Sequence, residues 1–364
     1  MAITIFGALG LPETDASILN NIGQEVIYGA VALSLDEHNA EVLDSMGLFV
    51  ERRTPDWKLT YKLDNGGGYL QRKGPRSNAA EVKPPPGWDA ALPLEDFGAG
   101  FAADRIAFAY MTTRDLNRVV RTVQNQDRAT VRLEMLRAIF TPTPRAFVDD
   151  LRGTLTVMPL ANGDNVVYPA LVGSDAPATA NAYLGVAAPA TTIADANNPL
   201  PVAVDALEGH FGTPSGGSAI VVFFNNAQTA GMQHLAGFEP VVNRYVTPGI
   251  SDNRVDLENL PPLPGRVIGV SDGAILVEWR QMPAGYLLGV HLEAPPPLLE
   301  RVDTEASGLL PGLHLIAEDF DNPFWKYEWS HRFGFGAGNR LNGVVIDLTM
   351  AGGAGTYTVP PRYA

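Results

Sequence analysis

No cysteine occurs among the 364 residues, which excludes disulfide frameworks, thiolate-held zinc or iron–sulfur centres and thiol nucleophiles. No stretch reaches the ~18–20 consecutive apolar residues of a membrane span, so a soluble chain without a membrane partner is expected. The first Lys or Arg of the chain is Arg52, and the opening Met1-Ala-Ile-Thr-Ile-Phe lacks the basic region of a signal peptide, so secretion is not expected. What is present is 46% apolar residues at a mean hydropathy of +0.01, enough to bury a core and to exclude disorder of the whole chain. Glycine (37) and proline (29) are abundant, which predicts many turns, strands and extended loops.

Charge is distributed in blocks. Residues 1–50 hold seven acids (Glu13, Asp15, Glu25, Asp36, Glu37, Glu41, Asp44) and no base; residues 51–145 carry a local +5; residues 146–364 carry a local −12, and the whole chain −14. A net acidic protein repels phosphate over most of its surface, so only the middle block is suited to an anionic partner.

Signatures of catalysis are missing. The pattern G-x-S-x-G occurs once, as Gly269-Val-Ser271-Asp-Gly273, but there it spans the turn of an expected hairpin and not the strand-to-helix elbow a serine nucleophile needs; Ser215 and Ser218 stand in a linker-like Gly-Thr-Pro-Ser-Gly-Gly-Ser turn, and a Walker A sequence is absent. Gly334-Phe-Gly336-Ala-Gly338-Asn339 only superficially resembles a dinucleotide fingerprint, since the third glycine's spacing and the following helix are wanting. His314, Glu318, Asp319 and Asp321 offer four potential oxygen or nitrogen ligands within eight residues, but their context alternates like a strand and spreads them over two faces. The remaining histidines, including His38, His291 and His331, lack metal spacing. No catalytic residue, metal or organic cofactor is expected.

The pattern along the chain predicts a weak helix over 16–31 and a second over 36–46, ending at Gly47. From Leu48 to Leu63 the alternation of Trp57, Leu59 and Tyr61 with Lys58, Thr60 and Lys62 predicts a strand. Asn65-Gly66-Gly67-Gly68 supplies a reversal, a Pro-rich segment follows (Pro84-Pro85-Pro86-Gly87), and a second arm is expected over Phe101–Tyr110. Residues 48–111 thus read as a long hairpin with too few large apolar side chains to bury a core of its own, which requires a partner surface.

Thr112-Thr113-Arg114-Asp115 has N-cap chemistry, and a helical pattern then runs without Gly or Pro to Phe140, stopping at Thr141-Pro142; at ~1.5 Å per residue it spans about 40 Å. Leu116, Val119, Val120, Val123, Thr130 and Leu133 share one face. Arg114, Arg118, Arg121, Arg128 and Arg132 line the opposite one with no carboxylate among them. Solvated faces ordinarily mix signs, so this stripe points to an anionic partner. Further on, two strands are expected within 152–170 about Ala161-Asn162-Gly163-Asp164, an extended connection over 171–201, and a helix over 202–211. A buried strand (219–224) and a helix over 227–235 follow, then a hairpin within 266–290 about Ser271-Asp272-Gly273. Strands at 313–316, 324–335 and 343–348 close the chain. Without βαβ alternation the class is α+β.

This order of elements, together with the passages Ala103-Asp-Arg-Ile-Ala-Phe-Ala-Tyr-Met-Thr-Thr-Arg-Asp-Leu116 and Ser330-His-Arg-Phe-Gly-Phe-Gly-Ala-Gly-Asn-Arg-Leu-Asn-Gly-Val-Val-Ile346, resembles the tailed-phage major capsid proteins of the Hong Kong 97-like fold. The resemblance implies an N-arm (1–47), an E-loop hairpin (48–111), a spine helix with peripheral-domain strands (112–170), an axial domain (171–312) and a C-terminal return to the peripheral domain (313–364). It further implies a virion shell subunit that forms hexamers and pentamers and is assembled in the bacterial cytoplasm. Its implied partners are a separate scaffolding protein, a portal, a decoration protein and weakly contacted double-stranded DNA. Asn65, Gly66, Gly67, Gly68, Arg72, Lys73 and the five arginines would be assembly contacts. Isopeptide cross-linking, as in some relatives, would need Lys62 or Lys73 with partners the sequence does not place. An encapsulin-type shell, or less plausibly an unrelated soluble enzyme or carbohydrate-binding module, are the alternative readings.

Overall fold

The computed structural model describes residues 24–63, 75, 87–104, 110–149, 151–174, 176–189, 193–214, 219–241, 263–304, 309–319, 324–349 and 357–364. Helix α1 spans Gln24–Met46 as one element, not the two expected. Between the two expected segments, Ala-Leu-Ser-Leu contains no breaker, and Val31, Leu35, His38, Val42 and Met46 form an unbroken buried stripe at helical spacing. Residues 16–23 of the expected first helix lie outside the described residues.

The expected single strand at 48–63 is two. Strand β1 (Val50–Thr54) and β2 (Lys58–Tyr61) are split by Pro55-Asp56-Trp57 and enter different sheets. Strand β3 (Trp88–Ala91) pairs antiparallel with β2, Tyr61 opposite Trp88, so the hairpin closes at its base. The second arm begins earlier than expected, as β4 (Glu95–Asp104), and does not pair with the first. The base also has a core: Tyr61, Trp88 and Leu92 are buried with Tyr168, Leu299 and Leu341.

Helix α2 (Thr113–Phe140) has the expected bounds, with a capping box in which the Thr112 side chain and Asp115 satisfy each other's backbone N–H. The next hairpin is β5 (Arg145–Asp149) with β6 (Gly153–Val157), ahead of the expected turn at 161–164; that region instead forms isolated bridges, Asn162 with Asn181 and Tyr168 with Ala178. Strand β7 (Tyr183–Gly185), helix α3 (Leu200–Phe211) and strand β8 (Ile220–Phe224) follow. The helix expected at 227–235 shrinks to a 3-10 turn and α4 (Thr229–Gln233). After β9 (Glu239–Pro240), β10 (Arg266–Ser271) and β11 (Ala274–Glu278) make the hairpin, reversing through Asp272 and Gly273 at φ +50° and +79°. Strand β12 (Tyr286–His291) is no part of that hairpin but pairs with β8. Strand β13 (Leu298–Val302), which the pattern does not announce, precedes β14 (His314–Asp319), β15 (Phe324–Ala337) and β16 (Val344–Asp347).

These strands build two principal sheets. One has the order β1-β13-β15-β14, with β4 running along ten residues of β15; the other has the order β7-β16-β12-β8-β11-β10-β9. The C-terminal segment is shared between them, since β14 and β15 lie in the first sheet and β16 in the second. Strand β8 explains the second sheet: Ile220, Val222 and Phe224 pack on Leu200, Ala203 and Leu207 of α3, while Val221 and Phe223 meet Met135, Ile139 and Phe140 of α2 and Phe333 and Phe335 of β15. A strand covered on both faces is apolar at every position.

The Phe-Gly-Phe-Gly run of β15 has a packing origin. Phe333 and Phe335 enter the core, whereas a Cβ on Gly334 would lie 2.3 Å from the Pro93 carbonyl oxygen and one on Gly336 2.6 Å from Leu92. The glycines let residues 91–93 cross over the strand, so the fingerprint-like sequence is a close-approach surface. The connection from β15 to β16 is buried and is satisfied by side chains. Arg340 Nε donates to the Pro159 carbonyl (2.7 Å) and Nη2 to Asp164 (2.8 Å), while Asn342 exchanges bonds with the His291 backbone (2.8 and 3.0 Å).

Candidate assembly surface

Helix α2 rests on the first sheet through Leu116, Val120 and Val123, which pack with Trp329 and Leu313. Helix α1 covers one of its flanks and runs parallel to it, because the contacts advance together. Gln124 donates to the Ser34 carbonyl (3.1 Å) and hydroxyl (3.0 Å), His38 meets Asp127, and Arg128 donates to Glu41.

The five arginines fall into two groups on this scaffold. Arg114, Arg118 and Arg121 are exposed, while Arg128 and Arg132 are half-buried beside α1. Burial, then Arg128, lowers the pKa of Arg132, against the opposing charge of Glu41. An acid from the N-terminal block therefore already meets the stripe once within the chain. Asn65, Gly66, Gly67, Gly68, Arg72 and Lys73 lie outside the described residues.

The flank of α2 opposite α1 is open. A groove of about 470 Å³ runs between this flank and β4, with Ala99, Phe101, Met111 and Val119 in its lining and Arg118, Thr122 and Gln126 along the helix side.

Sequence reasoning missed the most buried polar cluster of this region. Asp127 of α2 accepts from Nε2 of His38 on α1 (2.9 Å) and from Nδ1 of His331 on β15 (2.6 Å), and all three residues are buried. Burial raises the Asp127 carboxyl, but the bonds from His331 and His38 together outweigh it and hold the group below its ordinary value. Close by, the fully buried Glu300 of β13 accepts from Nε of Arg53 on β1 (2.7 Å); burial pushes its carboxyl up against the pull of Arg53. A signal existed: Asp127 sits four residues from Val123 and four from Val131, on the buried stripe, where an acid needs partners.

His314 donates from Nδ1–H to the Gly312 carbonyl (3.0 Å), and residues 314–319 form the expected strand. Asp321 lies outside the described residues. Among the described residues no three His, Asp or Glu side chains gather to hold a metal ion, and no helix is long and apolar enough to cross a membrane.

A long capped helix laid on a β-sheet and a second sheet with its own helix make up the coarse mixed helix-and-sheet outline of the Hong Kong 97-like capsid fold. A solved structure from Mycobacterium phage Patience shares it at a TM-score of 0.64, covering 95% of this chain and 92% of that one at 19% identity. Two capsids are also similar, both at a TM-score of 0.46: that of the empty GTA particle (13% identity, 84% of this chain, 90% of that one) and the mature capsid of bacteriophage PhiM1 (10%, 80% and 81%). No family model and no curated protein matches the sequence.

Proposed function

We propose that the chain is the major shell subunit of a tailed double-stranded DNA phage, a structural protein without catalytic activity that assembles with copies of itself into hexamers and pentamers of an icosahedral head. The observation that carries this reading is the shared fold with the phage Patience chain over nearly the full length of both. Fold by itself does not dictate function, so the reading rests on assembly as its test. Helix α2 is the spine, the first sheet the peripheral unit and the second sheet the axial unit. Scaffolding, portal and decoration proteins and packaged DNA are the further partners that this role entails, with the virion as its location. Purified protein is expected to form closed particles in negative-stain microscopy. A monomer of 39.0 kDa by light scattering at every concentration and salt would overturn the proposal. Particles filled with an enzyme and lacking DNA in the native host would favour an encapsulin-type shell.

The exposed part of the arginine stripe is read as an assembly contact with an acidic surface. Exposed pairs contribute only ~0–1 kcal/mol each and are screened by salt, so their effect is collective. Changing Arg118 and Arg121 together to Gln is expected to lower particle yield at low ionic strength and leave the unfolding midpoint of the free subunit unchanged. Arg128 is kept, because it ties α2 to Glu41. Equal yields of variant and parent across a salt series would remove the stripe from the interface.

A further inference from the structure

The hairpin of β5 and β6 is held at its tip yet presents apolar side chains to solvent. Buried Asp149 accepts from Arg301 (2.7 Å) and from the backbone N–H groups of Leu151 and Arg152 (both 3.0 Å), while the Arg152 guanidinium lies 5.7 Å from the Trp57 ring. The turn is thereby fixed with Leu151 88% exposed, more than any other large apolar residue described, and Val148 70% exposed. The outward face of the hairpin, Ala146, Val148, Thr154 and Thr156, carries no charge. Exposed strands are ordinarily guarded by charges, so a braced, uncharged face with an apolar tip marks a contact surface.

A cavity of about 190 Å³ lies at the other end of the same hairpin, between its base, the last turns of α2 and β15. Phe97, Val157, Met158 and Phe335 are in its lining, and Ala364 borders it. An apolar cavity of about 150 Å³ accepts one benzene-sized group, so this one has room for a single leucine side chain. Two acids and two bases at its mouth pair with each other, Arg145 with Glu95 at 3.2 Å and Arg137 with Glu134 at 3.6 Å. At the tip Asp149 is taken by Arg301 and Arg152 by Trp57, which leaves Asp150 as the one further charge there. It is opposite in sign to Arg137, whose side chain is the most exposed charge of the mouth at 41%.

Knob and cavity cannot meet within one chain. Arg145 opposes Val157 at the base, and β5 carries the tip about 13 Å beyond them at ~3.3 Å per residue. A knob at one end of a braced element and a fitting cavity at the other make a head-to-tail contact, which closes into a ring when the rotation permits. Five side chains are well short of the roughly 20–30 residues a side of a stable pair, so this contact joins copies only together with the others in the ring.

We propose that Leu151, at the tip of one copy's β5–β6 hairpin, inserts into the cavity at the base of that hairpin in a second copy, a contact repeated around each ring of the shell. This rests on the shell reading, and unlike the arginine stripe the contact is apolar.

Leu151→Asp is expected to cut particle yield at least tenfold at every salt concentration while leaving the unfolding midpoint of the free subunit unchanged, and Leu151→Met should assemble as the parent does. Because the chain has no native cysteine, Leu151→Cys and Ala138→Cys, a position in the cavity, can be co-assembled and oxidised. A disulfide dimer of one variant with the other is expected several-fold above the control pair of Leu151→Cys with Val172→Cys, an exposed position. Parent-level yield from Leu151→Asp overturns the proposal, as does a lowered midpoint, which would show Leu151 serving its own subunit. Particles whose cross-linking stays at the control level overturn it too, because the knob then seats elsewhere. Each of these leaves the shell reading intact, whereas failure of the parent chain to form particles overturns that reading and this contact with it.

Discussion

Replacing Asp127 by Ala is expected to destabilise the folded subunit by about 3–5 kcal/mol, the scale observed when one member of a buried charged pair is removed. The carboxylate is 8% exposed and joins α1, α2 and β15 through two ring N–H donors, so truncation leaves both donors buried without an acceptor. Asp127→Asn keeps one acceptor oxygen and should lose less. Urea unfolding of the unassembled subunit measures both, and a loss below about 1 kcal/mol for Asp127→Ala would show that the cluster does not hold the helices to the sheet. The same group fixes a pH dependence. Its folded pKa lies below the ordinary aspartate value of about 3.9, so its stabilising contribution is present in full above that value and is lost as pH falls through the lower folded pKa. Below about pH 4 the parent should therefore lose stability more steeply than Asp127→Asn.

Excising residues 64–86 in favour of a short Gly-Ser turn is expected to abolish closed particles while leaving cooperative unfolding of the subunit almost unchanged. The excised sequence contains four glycines and four prolines, with Tyr69, Leu70 and Val82 as its only large apolar residues, so it has little to add to an internal core. Its ends are already adjacent, because β2 and β3 pair with Tyr61 opposite Trp88. Extending the excision to residue 100 should unfold the protein. That cut removes Trp88 and Leu92, which are 5% and 0% exposed, and part of the strand that pairs along β15. Thermal unfolding paired with negative-stain microscopy distinguishes the outcomes. Intact particles from the 64–86 deletion would show that this segment is not needed between neighbours, and an unfolded subunit would show that it serves the subunit's own stability.

The two deletions mark where reading the chain succeeds and where it stops. Local rules act within a few residues, so helix α2 is legible to its last turn: Thr112 and Asp115 cap it, nothing within breaks it and Pro142 ends it. The Asp272-Gly273 reversal and the all-apolar β8 are legible for the same reason. Partner choice among strands is not local. β1 pairs with β13, about 250 residues away, and β4 with β15 instead of with its apparent hairpin mate, because side-chain alternation shows which face is buried but not against what. The arginine stripe was visible as a face of a helix, whereas the groove beside it exists only because β4 lies there. Likewise His38, Asp127 and His331 are scattered in sequence and meet only when α1, α2 and β15 pack.

By itself, then, the sequence determined the absence of thiol and disulfide chemistry, the α+β class, the long helix α2 with its one-sided positive face and the acidic block over residues 1–50, all of which follow from composition and from periods of two to four residues. Tertiary structure alone decided that the hairpin closes at β2 and β3 over a core of its own, that β15 passes beneath residues 91–93 through Gly334 and Gly336, and that a buried aspartate joins two helices to a sheet. Those features depend on contacts between residues tens to hundreds of positions apart, whose energies come from burial and hydrogen bonding in three dimensions and leave no periodic trace along the chain.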